Sequence, residues 1–477
     1  MGQEINRTDF TQGDFERFRQ RLEDETLALK KRIEHSRCSQ RPPVAGFEIE
    51  AWLIDDAMAP APVNERFLAE FDDPFACPEL AKFNIELNNE PEPLAGQGLS
   101  RLQRGLEEIW ARACRSAEAI DVHLLTIGIL PTLQQSALNL ANMSELNRFH
   151  ALNEQVLRLH GEPIHLEIVG HQHLETEHND VMLESAATSF QIHLQAPLDR
   201  AHHYYNAAIL ESAPMVAVSA NAPYLFGKDL WAETRIPVFE QSIEVGGFHG
   251  AAHGPLHRVS FGSGYARRSI LECFEENLNH FPILLPIEQD SDREAFAHLR
   301  LHNGTIWRWN RPLIGFDDDG TPHVRIEHRV VPSGPTIIDM LANAAFFYGL
   351  AEYLCRQAVD PEPHIPFPQA KDNFYQAARC GMNAPIVWLN GSRCRMKPLL
   401  LEELLPNAQQ GLLQLGIDRG DAQQYLTVIR ERVESGQNGS EWQRQFIAAH
   451  GSDFRTMTNV YLTNQQSGRP VHEWELY

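Results

Sequence analysis

The chain has little of what marks a disulfide-built, membrane-spanning or nucleic-acid-binding protein. It holds no Cys-x-x-Cys pair, and its seven cysteines (Cys38, Cys77, Cys114, Cys273, Cys355, Cys380 and Cys394) are scattered and odd in number. That fits reduced thiols in a cytosol better than a disulfide framework. Positive charge is scarce. The formal net charge of -23 argues against general nucleic-acid or membrane-surface partners, since both need a basic face. A nucleotide stays open as a ligand, because magnesium and a few arginines neutralise a triphosphate locally. No apolar run reads as long enough to span a bilayer; residues 213–226 come closest, but they are few and carry Pro214, Asn221 and Pro223. Met1-Gly2-Gln3-Glu4-Ile5 opens a polar, charged segment, so no signal peptide is expected and the expected location is cytoplasmic. Internal repeats and low-complexity tracts are absent. So is a glycine-rich phosphate loop between a strand and a helix; Gly262-Ser263-Gly264 reads as a plain turn.

What is present is acid patterned on strands. A length of 477 residues allows one large domain or two to three average ones, and a hydrophobic share of 43% supplies a sizeable core. Gly46-Phe47-Glu48-Ile49-Glu50 follows Pro42 and Pro43 and leads into Ala51-Trp52-Leu53-Ile54, so it reads as the start of a strand. Strand side chains alternate, which puts Glu48 and Glu50 on one face, about 7 Å apart, and Phe47, Ile49 and Ala51 on the other. Two such carboxylates repel unless a cation lies between them, and hard cations take oxygen ligands. Alone, the pentapeptide fits a solvated polar face equally well. Recurrence decides. Phe83-Asn84-Ile85-Glu86-Leu87-Asn88, Ser189-Phe190-Gln191-Ile192-His193-Leu194 and Val324-Arg325-Ile326-Glu327-His328-Arg329-Val330 show the same parity. On one sheet these four strands would line a single face with Glu48, Glu50, Glu86, Gln191, His193, Glu327 and Arg329. Carboxylates beside arginines suit a metal–polyphosphate complex.

Spacing predicts helices over residues 12–36 (capped by Asp14), 100–120, 144–159 (ended by Gly161), 203–218 and 336–356. Further strands are predicted at 123–130, 307–315 and 323–331, the last two as a hairpin about Asp317-Asp318-Asp319-Gly320. Beyond residue 368 the chain reads as mainly helical, with a break at Ser435-Gly436-Gln437-Asn438-Gly439. Strands with one polar face suit a largely antiparallel sheet with helices behind it, so the expected class is α+β. Three parts are expected: an N-terminal helical arm (1–40), a catalytic domain (41–400) and a C-terminal helical segment packed on it (401–477).

These residues resemble the type 2 glutamate–cysteine ligase and carboxylate–amine ligase family. Gly46-Phe47-Glu48-Ile49-Glu50 looks like that family's opening Gly-x-Glu-x-Glu strand. Ile85-Glu86-Leu87 resembles the next carboxylate strand, and Gln191-Ile192-His193 the bacterial Gln-x-His strand. Ser219-Ala220-Asn221-Ala222-Pro223-Tyr224, with Gly227 and Arg235, is similar to a Ser-x-x-Ser-Pro loop and its trailing arginine. Gly304-Thr305-Ile306-Trp307 and Arg311-Pro312 precede Glu327-His328-Arg329, which resembles the final Glu-x-Arg strand. The resemblance spans roughly residues 45–350. It implies a curved glutamine synthetase-like sheet and an ATP-dependent ligase. In that reading Glu48, Glu50, Glu86, His193 and Glu327 hold two or three Mg2+ ions around ATP. Arg311 and Arg329 face the transferred phosphoryl group, and Gln191 and Arg235 hold the substrate amino acid. Implied substrates are glutamate, or a similar carboxylate, and an amine such as cysteine, which would place the protein in glutathione biosynthesis. No nucleic acid or membrane is implied, and a homo-oligomer is left open.

Plainer readings stand beside this one. His193 also suits a core or surface histidine, Arg329 a structural salt bridge to Glu327, and Glu90 and Glu92 solvated loop acids. Arg308 has the opposite parity to Arg311 and is left out. His171-Gln172-His173 with Glu175, Glu177 and His178, in a stretch (162–185) that looks inserted, would supply ligands for a zinc hydrolase. A non-catalytic nucleotide- or amino-acid-binding member of the fold is the other alternative.

Overall fold

The central strand of the molecule is the one that carries Glu48 and Glu50. The computed structural model describes residues 4–245, 257–357 and 360–476; Met1-Gly2-Gln3, read above as opening a polar segment, lie outside them. Strand β1 (Val44–Ile54) belongs to an eight-stranded sheet together with β2 (Ala76–Pro78), β3 (Asn84–Asn88), β4 (Phe190–Ala196), β5 (Asn310–Phe316) and β6 (Pro322–His328). The order across it is β5-β6-β4-β1-β3-β2, and two short strands, Glu92–Pro93 and His123–Leu125, also pair with β1. Every pairing in this sheet is antiparallel. The sheet curls into a half-barrel, and the α+β class expected from strand parity is the one found.

Alternation in β1 sets the two sides of the sheet. Phe47, Ile49 and Ala51 are buried against helices. The Phe47 ring centre lies 4.9 Å from that of Phe190 and 6.3 Å from Tyr348, and His328 stacks 4.4 Å from Phe347. Tyr348 also donates its hydroxyl to the carbonyl of His193 at 3.1 Å. The helices in order are α1 (Gln12–Glu34), α2 (Ala201–Ser219), α3 (Ile337–Gln357), α4 (Leu405–Leu415), α5 (Gly439–His450) and α6 (Phe454–Gln466). Of these, α3 backs the sheet and packs between α2 and α4. It is long and apolar enough to cross a membrane, unlike residues 213–226, yet 78% of its most apolar window is buried inside the protein. Gly349 and Gly411 let α3 and α4 touch backbone to backbone. A Cβ on Gly411 would fall 1.8 Å from the Gly349 carbonyl oxygen.

Local details differ from expectation in four places. Thr11, not Asp14, is the N-cap of α1; Asp14 lies three residues on and accepts the Thr11 N–H at 2.7 Å, completing a capping box. Only His123–Leu125 of the predicted strand over 123–130 pairs with the sheet, because the chain then turns under loops from elsewhere. A Cβ on Gly128 would meet the Pro332 Cβ at 2.9 Å and the Ala222 Cβ at 3.0 Å. The stretch 162–185 contains an unforeseen hairpin, Ile164–Val169 with His173–His178. Its outer face is histidine and glutamate, which hid the alternation of Ile164, Leu166 and Ile168. Finally, the zinc candidates there do not converge. His171 pairs with Asp229 at 3.0 Å, His173 pairs with Glu167 at 3.1 Å, and His178 is buried on the other face.

Candidate functional site

Register brings the polar residues together. Directly opposed residues of an antiparallel ladder project to the same side. Arg311 lies opposite Glu327, and Glu327 opposite His193. Gln191 lies opposite Glu48, and Glu50 opposite Glu86. One unbroken strip across β5, β6, β4, β1 and β3 therefore carries Arg311, Glu327, Arg329, His193, Gln191, Glu48, Glu50 and Glu86.

At its centre, Glu48, His193 and Glu327 offer one ligand atom each, all within 4.8 Å of one another; no other such group occurs among the described residues. His193 Nε2 is 3.3 Å from Glu48 Oε1 and 3.9 Å from Glu327 Oε1. Neither ring nitrogen of His193 makes a hydrogen bond, nor does Glu48 Oε2, although all are buried. Leaving such groups bare is costly, and a cation among them would satisfy all three. Burial raises the Glu48 carboxyl, but His193 outweighs it and the group ends at about 2. Burial acts the same way on Glu327, yet Arg311 and Arg329 hold it well below the usual carboxylate range. Both acids are thus anionic at neutral pH, as metal ligands must be.

A second acidic group adjoins the first. Glu50 accepts the Ser189 N–H at 2.6 Å, the Ser189 hydroxyl at 2.8 Å and the Gln191 amide at 2.9 Å. Glu86 accepts from Asn88 Nδ2 at 2.9 Å and from the Cys77 thiol at 3.2 Å. Two acids missed from sequence join them. Burial, then Glu86, Glu50 and Glu184, push the Glu79 carboxyl well up. Glu184 is pushed up to about 8 by burial and Glu50, against Arg329. Mutual repulsion of this kind marks carboxylates that share one space. Glu79 follows a strand of only three residues, too short for parity to show, and Glu184 sits in a 3-10 turn, Val181–Ala186.

The cations are engaged differently. Arg311 grips Glu327 with Nε and Nη2 at 2.7 and 3.0 Å, a bidentate fork. Arg329 reaches Glu327 at 3.2 Å and also bonds Gln191 Oε1. Arg235, expected at the substrate, is buried behind Arg329. It pairs with Glu233 at 3.2 Å, donates to the carbonyls of Val330 at 2.6 Å and Arg329 at 3.2 Å, and lies 5.2 Å from the Trp309 ring. Its described contacts are all to the chain itself.

The family model of glutamate-cysteine ligase family 2 matches residues 44–462. The chain belongs to this family. Two solved structures share its fold. One is the glutamate–cysteine ligase of Francisella tularensis, solved in complex with AMP, with a TM-score of 0.58 at 10% identity over 92% of this chain and 91% of that one. The other is a bifunctional glutathione synthetase from Pasteurella multocida, with a TM-score of 0.51 at 11% identity over 93% of this chain but only 55% of that one. A search of the curated proteins gives no match. As a member of glutamate-cysteine ligase family 2, the protein is an ATP-dependent carboxylate–amine ligase of glutamine synthetase-like fold. The matched span includes every residue of the strip.

One group near the strip gives this family member a pH signature. Glu240 Oε1 accepts the Trp309 indole N–H and the Tyr375 hydroxyl, each at 2.8 Å. Burial pushes its carboxyl up to about 7 from an ordinary 4.5, and those two hydrogen bonds only partly oppose this. An acid whose value is raised by folding binds its proton more tightly when folded. Its contribution to stability is complete below pH 4.5 and is lost as the pH rises through 7. Glutamine keeps the acceptor oxygen and cannot ionise. Thermal melts should therefore show Glu240→Gln gaining stability relative to the wild type between those two pH values, and parallel pH curves would refute the assignment.

Proposed function

We propose that the protein uses Mg-ATP to activate a carboxylate, the γ-carboxylate of glutamate first among candidates, and joins it to an amine such as cysteine. A carboxylate oxygen attacks the terminal phosphorus, the bond to ADP breaks, and an acyl phosphate results. The amine nitrogen then attacks the acyl carbon, loses a proton, and inorganic phosphate departs. Little covalent chemistry falls to the protein; its task is positioning and charge compensation.

The observation that carries this reading is the buried His193 imidazole with two bare nitrogens between Glu48 and Glu327. Glu48, His193 and Glu327 would hold one Mg2+; Glu50 and Glu86, with Glu79 added, would hold another. Bound magnesium offsets the charge of the phosphates and turns an acidic face into an anion-accepting one. Arg329, shared between Glu327 and Gln191, stands where it can release one partner to the transferred phosphoryl group. Arg311 keeps Glu327 ionised and oriented. Arg235 fixes the backbone that carries Arg329. The reading extends to a cytoplasmic enzyme that supplies γ-glutamyl amides.

Incubation with Mg-ATP, glutamate and a panel of amines should release ADP only when both carboxylate and amine are present, with a γ-glutamyl product by mass spectrometry. EDTA should stop turnover, and added Mg2+ should restore it. Tight Mg-ATP binding without amine-dependent ADP would favour a sensor instead.

A further inference from the structure

The last two long helices reach the strip through one buried asparagine. Asn221 lies in the loop after α2 and is fully buried. Its Nδ2 donates to the Ser333 carbonyl and to the Tyr461 hydroxyl, each at 2.8 Å. Its Oδ1 and its carbonyl accept from Gln443 Nε2 at 3.1 and 3.2 Å. Its backbone N–H donates to Glu233 Oε2 at 2.9 Å. Gln443 lies on α5 and Tyr461 on α6. The approach is close: a Cβ on Gly439, at the start of α5, would lie 2.0 Å from Asn221 Oδ1. Tyr461 passes its own proton to the Thr126 carbonyl at 3.0 Å, and Gln465 of α6 donates to the same carbonyl at 2.9 Å.

Two branches leave Asn221 for the site. Ser333, whose carbonyl it holds, donates its hydroxyl to the main-chain carbonyl of Glu50 at 2.6 Å. The Ser333 N–H bonds the Thr188 carbonyl at 3.2 Å, next to Ser189, which grips the Glu50 carboxylate. The second branch runs through Glu233 to Arg235, and from there to the carbonyls of Arg329 and Val330. Asn221, Ser333, Glu233 and Gln443 are all fully buried, so no water competes for these bonds.

We propose that Asn221 is a positioning residue through which α5 and α6 set Glu50 on one side and Arg329 on the other, making the C-terminal helices part of the catalytic apparatus. This rests on the reading of Glu50 as a metal ligand given above. A network with every donor and acceptor matched rigidifies what it holds, and supporting partners of metal ligands commonly alter affinity by about 10–100-fold.

Mn2+ alone, titrated calorimetrically into the full chain without nucleotide, tests this apart from turnover. Asn221→Ala, Ser333→Ala and Tyr461→Phe should each weaken Mn2+ binding by about tenfold or more. In the wild-type assay each should raise the Mg2+ concentration needed for half-maximal ADP release. Tyr461→Phe and Ser333→Ala combined should weaken binding less than the product of the single effects, since both act on one chain of contacts. Should Asn221→Ala fail to fold, the two milder variants decide. A lowered melting temperature with wild-type Mn2+ affinity would mean packing alone and overturn the proposal. Absence of Mn2+ binding by the wild type would overturn the metal assignment and the brace with it.

Discussion

Glu327→Gln should lose metal-dependent turnover while the protein stays folded. Glutamine fills the same space but carries no charge, so Arg311 and Arg329, both buried, lose their shared anion. Removing one member of a buried ion group costs about 3–5 kcal/mol, because the remaining charges are left uncompensated. A protein of ordinary stability survives that loss at room temperature with a lowered melting temperature. The metal site fares worse, since it loses an anionic ligand and faces two cations with less to oppose them. Turnover should fall by on the order of 10²–10³-fold, as for removal of a single preorganised electrostatic contact. The checks are steady-state ADP release, Mn2+ titration and near-ultraviolet circular dichroism. A variant with the native spectrum and wild-type rate would end the assignment of Glu327.

Arg329→Lys should separate catalysis from stability. Lysine keeps the positive charge, so Glu327 stays ionised and the melting temperature should move little. What disappears is the planar fork that serves Glu327 and Gln191 at once. A point charge on a flexible stem cannot hold both and also meet a phosphoryl oxygen. Turnover should fall about 10²-fold, with the larger change in kcat rather than in the KM for ATP. A purely structural salt bridge between Arg329 and Glu327 makes the opposite forecast, near-normal turnover in the lysine variant. The pair of variants is informative together: one removes charge and lowers stability, the other keeps charge and removes geometry.

The strip was legible from sequence because β-strand parity is local. Glu48 and Glu50, Gln191 and His193, and Glu327 and Arg329 each sit two apart, so each pair shares a face whatever the sheet order. Glu79 and Glu184 lay beyond that rule. They reach the site from a three-residue strand and a 3-10 turn, where side-chain direction depends on neighbouring loops. The hairpin over 164–178 was masked for a related reason. Its solvent face carries His165, Glu167, His173, Glu175 and Glu177, so composition read as a polar insertion although the inner face is regular. Arg235 was found by motif, but its direction was not: only packing shows it turned toward the Arg329 backbone.

What the sequence determined by itself was chemistry and sidedness: which residues could bind a cation or a phosphate, and that they alternate with apolar partners. Both follow from side-chain identity and from a backbone period of two. Tertiary structure alone decided which strands are neighbours, and hence that Glu327 faces His193 and Glu50 faces Glu86, since register is set by pairing between segments up to hundreds of residues apart. It also decided that the C-terminal helices reach the site through Asn221. Hydrogen bonds between residues 221, 333, 443 and 461 leave no trace in local pattern, because their strength comes from a buried meeting point that exists only in the folded chain.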